Sequence, residues 1–462
     1  VELFRKKSVD YALEMTRKGP QLRRELGAWD LTLLGIGAII GTGIFVLTGI
    51  GSLTAGPALT LSFILSGLAC LFAGLTYAEF ASIVPVSGSA YTYSYVTLGE
   101  FFAWIIGWDL ILEYLLAVSS VSVGWSGYFA DLLMGFGIEI PKSLLTSPLE
   151  GGVMNLPAFV ILLLITLLVS IGVKESKWVN NVIVVMKLVV VLLFILVGFF
   201  YIKPDNWTPF MPFGFDGVFQ AAAVIFFAYL GFDAVTTAAE ETRNPQKDLP
   251  KGILWSLGIC TVLYVITTLV MTGLVEFKLF EDHKESPVAF AISVTGQDWL
   301  RGFVSVGATV GMLTVLLVML YGQVRVGYSM SRDGLLPKVF SKVNATTRTP
   351  FVNTWICGLI CAGLGGFVPL RELAELTNMG TLAAFVLVSV SVMVLRKTQP
   401  DLPRAFRTPW VPLVPILAIL FCGFLMFKLP GTTWLRFLIW LVVGLLVYFV
   451  YGYRNSELNK KN

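Results

Sequence analysis

The stretch GIGAIIGTGIF, Gly35–Phe45, decides how this chain is to be read. It sits inside the first long apolar segment, and four of its first nine residues are glycine. Each glycine in a helix interior costs roughly 1 kcal/mol relative to alanine, so a run this dense predicts an interrupted helix. An interruption at membrane depth frees N–H and C=O groups that lipid cannot satisfy. A polar solute or a water-filled cavity must then lie beside it. A second interruption, FAYLGFD at Phe227–Asp233, falls five apolar segments later. Paired interruptions at corresponding places in two halves mark the solute site of a membrane carrier.

Composition fixes the setting. Of 462 residues, 56% are hydrophobic and only 13% charged, with mean hydropathy +0.80; no water-soluble core needs that much apolar surface. The formal charge of +4 implies no nucleic-acid partner, because the basic residues follow membrane topology and form no patch. The first 26 residues are charged and amphipathic without a signal-peptide core, which predicts a cytoplasmic segment lying against the lipid surface. Cys70, Cys260, Cys357, Cys361 and Cys422 all fall in apolar spans, where packing, not a disulfide framework, is expected. Cys357 and Cys361 share a helix face but have no further partners for a metal, and no metal site is expected.

Stretches of about 20 apolar residues can be placed twelve times: 30–52, 58–83, 100–127, 156–172, 179–202, 218–238, 251–275, 301–327, 352–369, 376–395, 411–427 and 434–452. With the N-terminus inside, cytoplasmic segments and span ends hold 24 of the 33 Lys and Arg, the opposite side eight, and Lys187 lies within a span. The positive-inside rule then puts both termini in the cytoplasm. Spans one to five and six to ten make two halves of five, and an odd number inverts the second half relative to the first. The expected organisation is a cytoplasmic segment 1–29, a first repeat 30–202, an inverted second repeat 203–395, and appended spans with a cytoplasmic tail 396–462.

The first interruption offers both chemical signs. The N–H groups opening its second half-helix, near Thr42, Gly43 and Ile44, suit a carboxylate. The last carbonyls of its first half, near Ile39 and Ile40, suit an ammonium, and the second interruption adds carbonyls around Phe227 and Leu230. An α-amino acid zwitterion satisfies both. Lys187, between WVNNVIVVM and LVVVLLF, is an intramembrane cation and hence a functional candidate by default. Its charge state offers a route for proton coupling, so the proton is the expected coupling ion and no other cofactor is expected. Glu79, Asp109, Glu113 and Asp233 compete for that role; Glu113 is the strongest competitor, and Glu79 is expected only to cap or gate. The single histidine, His283, lies in a charged loop, and no HExxH, GxSxG or Walker A pattern is present. GIGAII lacks the third glycine of a dinucleotide fingerprint and follows no strand. The chain is not expected to be an enzyme.

At these residues the sequence resembles the amino acid–polyamine–organocation superfamily, and within it the bacterial relatives of the cationic amino acid transporters. The resemblance runs through IGAIIGTGIF, YAEFASIVPVSGSAYTYSYVTLGEFFAWIIGWDLILEY, FFAYLGFDAVTTAAEETRNPQKDLP and RVGYSMSRDGLLP, and covers essentially the whole chain. It implies an all-α integral membrane protein with the LeuT-like five-plus-five inverted repeat, discontinuous helices one and six, and alternating access. Carried over by position, the substrate carboxylate meets Thr42 and the N–H groups of Thr42, Gly43 and Ile44. The ammonium meets carbonyls of Ile39, Phe227 and Leu230, with Phe227 as an aromatic gate. Lys187 takes the place of a sodium ion, beside span-one carbonyls near Gly35 or Ala38 and span eight near Thr314. Met319 faces the side-chain pocket, and its apolar surroundings favour small neutral amino acids such as alanine over cationic ones. The expected activity is proton-coupled amino acid symport across a prokaryotic plasma membrane; exchange, or sensing without transport, are the alternatives. Expected partners are the substrate and membrane lipid, with a sterol or small membrane protein also considered.

Overall fold

A computed structural model describes residues 2–18, 24–84, 89–173 and 177–460; residues 85–88 of the second quoted motif lie outside it. The described residues are helical almost throughout. Helices α1 (Val9–Lys18), α2 (Ala28–Ile39), α3 (Thr48–Ala55), α4 (Leu59–Ile83), α5 (Ala90–Thr97), α6 (Glu100–Gly135), α7 (Leu156–Ser170) and α8 (Lys177–Phe199) occupy the first part. Then follow α9 (Gly214–Ile225), α10 (Pro245–Leu274), α11 (Pro287–Ser293), α12 (Asp298–Arg332), α13 (Phe351–Phe367), α14 (Leu370–Thr398), α15 (Leu413–Lys428) and α16 (Gly431–Val447). Among the described residues, eight runs are long and apolar enough to cross a membrane, and three further helices, α7, α13 and α15, are shorter and apolar. The first of the eight runs, Ala28–Ile83, contains α2, α3 and α4. This is an all-α membrane protein.

Both expected interruptions are present. Helix α2 starts where the Asp30 carboxylate accepts from the Gly27 N–H at 3.0 Å, a local end-cap that fixes the entry of the chain. It stops at Ile40, whose backbone is extended (φ −74°, ψ 110°); the chain resumes as a π-turn over Gly43–Leu47 that runs into α3. The second interruption follows α9 and a 3₁₀ turn, Phe226–Tyr229. There Leu230 is extended and Gly231 has φ 116°, a conformation only glycine adopts without strain. A 3₁₀ segment, Phe232–Glu241, completes the crossing.

Several helices overrun their apolar segments. Span three, placed at 100–127, is the helix Glu100–Gly135, and span eight, placed at 301–327, is Asp298–Arg332. Helical hydrogen bonding continues into polar residues once a helix is anchored, whereas hydropathy reports only the apolar part. Helices α5 and α11 are short pieces in the loops that hydropathy does not register. The long α6 and α12 pack on each other, α14 packs on α6, and α10 packs on α2 and α4. The first and last described segments lie on one face: the Arg5 guanidinium donates to Asn459 Oδ1 and to Glu100 Oε1, each at 2.9 Å.

Glu79 behaves as a structural anchor. It is fully buried, accepts from Arg396 Nε at 3.0 Å and Nη2 at 2.5 Å, and accepts the Thr408 N–H at 3.0 Å. It thereby ties α4 to the end of α14 and to the segment before α15.

Candidate functional site

The two interruptions touch. Gly43 packs directly on Ala228, so closely that any β-carbon at 43 would overlap the Ala228 backbone. A β-carbon on Gly231 would lie 2.6 Å from the Ala38 carbonyl oxygen. The glycines that break the helices are therefore also the residues that let the breaks meet.

A helix that ends in the membrane interior leaves its last carbonyls without N–H partners, and each must be accounted for. The Gly37 oxygen accepts from Lys187 Nζ at 2.7 Å, with Lys187 1% exposed. Tyr264, fully buried on α10, places its hydroxyl 3.0 Å from the Ile39 oxygen and 2.8 Å from the Ala228 oxygen, one carbonyl from each interruption. The Phe227 oxygen accepts the Leu230 N–H at 3.2 Å. One O–H donates a single hydrogen and each carbonyl has two lone pairs, so Ile39, Phe227 and Ala228 keep acceptor capacity for a further donor.

On the other side of the break, Gly41, Thr42, Gly43 and Ile44 begin the resumed helix, where N–H groups lack intrahelical carbonyls. Thr42 is 1% exposed and its hydroxyl donates to Met312 Sδ at 3.3 Å. Thioether sulfur is a weak acceptor, readily given up for a carboxylate oxygen. Ile40 and Ile44 are fully buried, so only their main chain is on offer.

A cavity of about 120 Å³ lies against the breaks, on the face that carries both chain ends. Ala38, Leu230 and Thr314 line it together with Val315, Val318 and Met319 of α12. Glu113, Tyr114 and Asp233 face it as well. Among the described residues, Glu113 Oε2 and both carboxylate oxygens of Asp109 have no hydrogen-bond partner. Phe227 is 6% exposed and does not line the cavity. A larger cavity, about 580 Å³, opens on the opposite face among Lys142, Glu150, Lys284, Glu285, Arg371 and Glu372.

Leu230, Met319 and Glu113 line one cavity, whereas Ile39, Thr42 and Gly43 lie at the contact between the interruptions and are not among its lining residues. Lys187 donates to the Gly37 carbonyl, within the stretch near Gly35 or Ala38 expected for it. Gly35 faces α10, where a β-carbon would lie 2.5 Å from Ser256 Oγ, and Ala38 abuts Gly231. On α12 the residue against the lysine is Gly311, one turn from Thr314, whose hydroxyl donates back to the Gly311 oxygen at 2.9 Å. A helix turns by 100° per residue, so a shift of one or two positions changes which carbonyl meets the ammonium. Tyr264 and Met312 were not anticipated at all. Each is an ordinary apolar-span residue in sequence, and only packing gives it a partner.

The profile described as amino acid permease matches residues 26–451, which includes both interruptions and Lys187. This chain belongs to the amino acid permease family. The permease is 60% identical to the branched-chain amino acid permease BcaP of Bacillus subtilis (strain 168), over 99% of both chains. It is 56% identical to the methylthioribose transporter of the same organism, again over 99% of both. To the human cationic amino acid transporter 4 it is 31% identical, over 97% of this chain and 90% of the relative, so the resemblance to that group is real but more distant. Permeases move solutes without transforming them; this permease is not an enzyme.

Proposed function

We propose that this permease is a proton-coupled symporter of neutral, apolar L-amino acids, with branched-chain substrates preferred and alanine-like ones accepted. The observation that carries the reading is the contact between two interrupted helices, with helix-opening N–H groups on one side and carbonyls of spare capacity on the other. A zwitterion laid across this contact places its carboxylate on Thr42, Gly43 and Ile44 and its ammonium on Ile39, Phe227 and Ala228 or Leu230. Its side chain then points toward Val315, Val318 and Met319. Burying a methylene there gains about 0.8 kcal/mol, so three extra carbons favour leucine over alanine by roughly 2 kcal/mol, about 30–50-fold. The 60% identity to a branched-chain permease supports the same direction.

In this reading the twelve apolar segments cross a bacterial plasma membrane as two inverted repeats of five plus two appended spans, with both termini cytoplasmic. The cavity on the terminal face is the inner half of an alternating-access path. Lys187 couples the proton: while it holds the Gly37 carbonyl, α8 is tied to α2, and loss of that bond frees α2 to move.

A second reading has its own support. Branched side chains offer no donor to Glu113 or Asp233, yet both carboxylates face the cavity. Hydroxyl groups would suit them, and a methylthio group would suit Met319, which fits the 56% relative that carries methylthioribose. The deciding experiment is uptake of labelled leucine into sodium-free proteoliposomes with and without an inward proton gradient, with methylthioribose as competitor. Gradient-driven accumulation that is lost in Lys187→Ala supports the symporter. Uptake only against internal amino acid identifies an exchanger, and full displacement of leucine by methylthioribose favours the second reading.

A further inference from the structure

Lys187 does not merely reach across an open gap; its stem lies on a bare stretch of helix. On α12, a β-carbon at Gly311 would come 2.8 Å from Lys187 Cε, 3.2 Å from Cγ and 3.5 Å from Cδ. Real β-carbons essentially never approach within 3.0 Å of other heavy atoms, so the stem occupies the volume that an alanine methyl would take. From there the ammonium reaches the Gly37 oxygen at 2.7 Å. At Gly37 the bare position accommodates α8 itself: a β-carbon there would lie 2.5 Å from Val184 Cγ2, one turn before Lys187. The lysine thus runs from α8, over the bare Gly311 of α12, to the broken end of α2, which Gly37 lets α8 approach closely.

We propose that Gly311 is a positioning residue for proton coupling: it seats the Lys187 stem so that the ammonium caps the orphaned Gly37 carbonyl. The proposal rests on the coupling role assigned to Lys187 above. The end of α2 carries the negative end of the helix dipole, which suits the lysine in its charged form. A side chain at 311 pushes the stem off its track and breaks that cap without removing any polar group. Lys187 and Gly37 keep all their own atoms, and neither the substrate carboxylate site nor the apolar wall is touched.

A control for packing exists one turn away. Gly307, on the same face of α12, is pressed against Val190 of α8 even more closely than Gly311 is against the lysine. If these glycines serve only to let α8 and α12 pack, Gly307→Ala and Gly311→Ala should behave alike.

The test combines proteoliposome uptake of labelled leucine with heat-induced unfolding of the full chain in detergent. The variants are Gly307→Ala, Gly311→Ala, Lys187→Ala and the double Gly311→Ala/Lys187→Ala. Expected for Gly311→Ala is a roughly tenfold loss of gradient-driven accumulation, the scale of one overpacked methyl, with counterflow exchange retained within about twofold. Gly307→Ala should change the ratio of accumulation to counterflow by less than about twofold, whatever its effect on stability. In the Lys187→Ala background, adding Gly311→Ala should change neither the melting temperature nor counterflow, because the group it displaces is gone; this is the non-additivity expected of contacting residues. Should Gly311→Ala fail to fold, the double variant must recover folding.

Equal losses in the two glycine variants would overturn the proposal, as would additive effects of Gly311→Ala and Lys187→Ala on melting or a double variant that does not recover. Retention of gradient-driven accumulation by Lys187→Ala would instead remove the coupling reading. The melting cycle would still decide whether Gly311 seats the lysine, so the two failures are told apart.

Discussion

Removing the Tyr264 hydroxyl probes how the two interruptions are held together and whether substrate uses the same carbonyls. The hydroxyl stands 2.8 Å from the Ala228 oxygen and 3.0 Å from the Ile39 oxygen, and the ring packs against Tyr229 and Phe63 at centroid distances of 5.3 and 5.6 Å. Tyr264→Phe keeps the ring and those contacts. It deletes one donated hydrogen bond, worth about 1 kcal/mol net, and takes from the Ile39 and Ala228 carbonyls the single donor they share, which can cost up to about 3 kcal/mol. Hydrogen bonds between membrane helices average nearer 0.6 kcal/mol, so the expected loss is ~1–2 kcal/mol. Denaturant titration in mixed micelles measures it. The substrate ammonium supplies the missing donor, so saturating leucine should recover most of the loss. The stabilisation that leucine gives should then be larger in the variant by ~1–2 kcal/mol, roughly a 5–30-fold gain in relative affinity. A variant that unfolds at the wild-type denaturant concentration and binds leucine with unchanged affinity would refute the carbonyl assignment.

Two further expectations concern regions away from the site. Arg396→Ala removes the nearer cation from the fully buried Glu79 but leaves Arg404 at 3.9 Å, and should cost about 1–3 kcal/mol, read as a drop in melting temperature, whereas Glu79→Gln leaves both guanidinium groups without their carboxylate and should cost at least as much. At the mouth of the larger cavity, partial burial and then the Glu372 and Glu285 carboxylates raise the pKa of Glu150, while Lys284 opposes them. A carboxyl whose folded pKa is raised contributes stability below its unfolded pKa, near 4.5, and loses it as pH rises through the folded value. Glu150→Gln should therefore raise the melting temperature slightly at pH 7 and not at pH 4; an equal shift at both would exclude the repulsion, and the effect should be small because Glu150 is exposed.

Much of the architecture was legible because the membrane restricts the choices. Apolar length locates helices, since nothing else can shield the backbone in lipid, and glycine density located both interruptions to within a residue or two. Thr42, Gly43 and Leu230 lie at those interruptions, where the chemistry on offer is backbone and needs no particular side chain. Lys187 was conspicuous because a buried cation in an apolar run is costly.

What the sequence alone could not determine is which groups face one another. It put Lys187 near Gly35 or Ala38 and near Thr314, and only the packing of α8 on α2 and α12 selected Gly37 and Gly311. It left Glu113 and Asp233 as separate candidates, and only the fold set both on one cavity. Tyr264 carried no local signal, yet it spans Ile39 and Ala228, which are 189 residues apart in the chain. Periodicity and composition report how each helix meets lipid. Partnership between helices depends on rotation about their axes and on close approach at glycine, and these are properties of the assembled bundle.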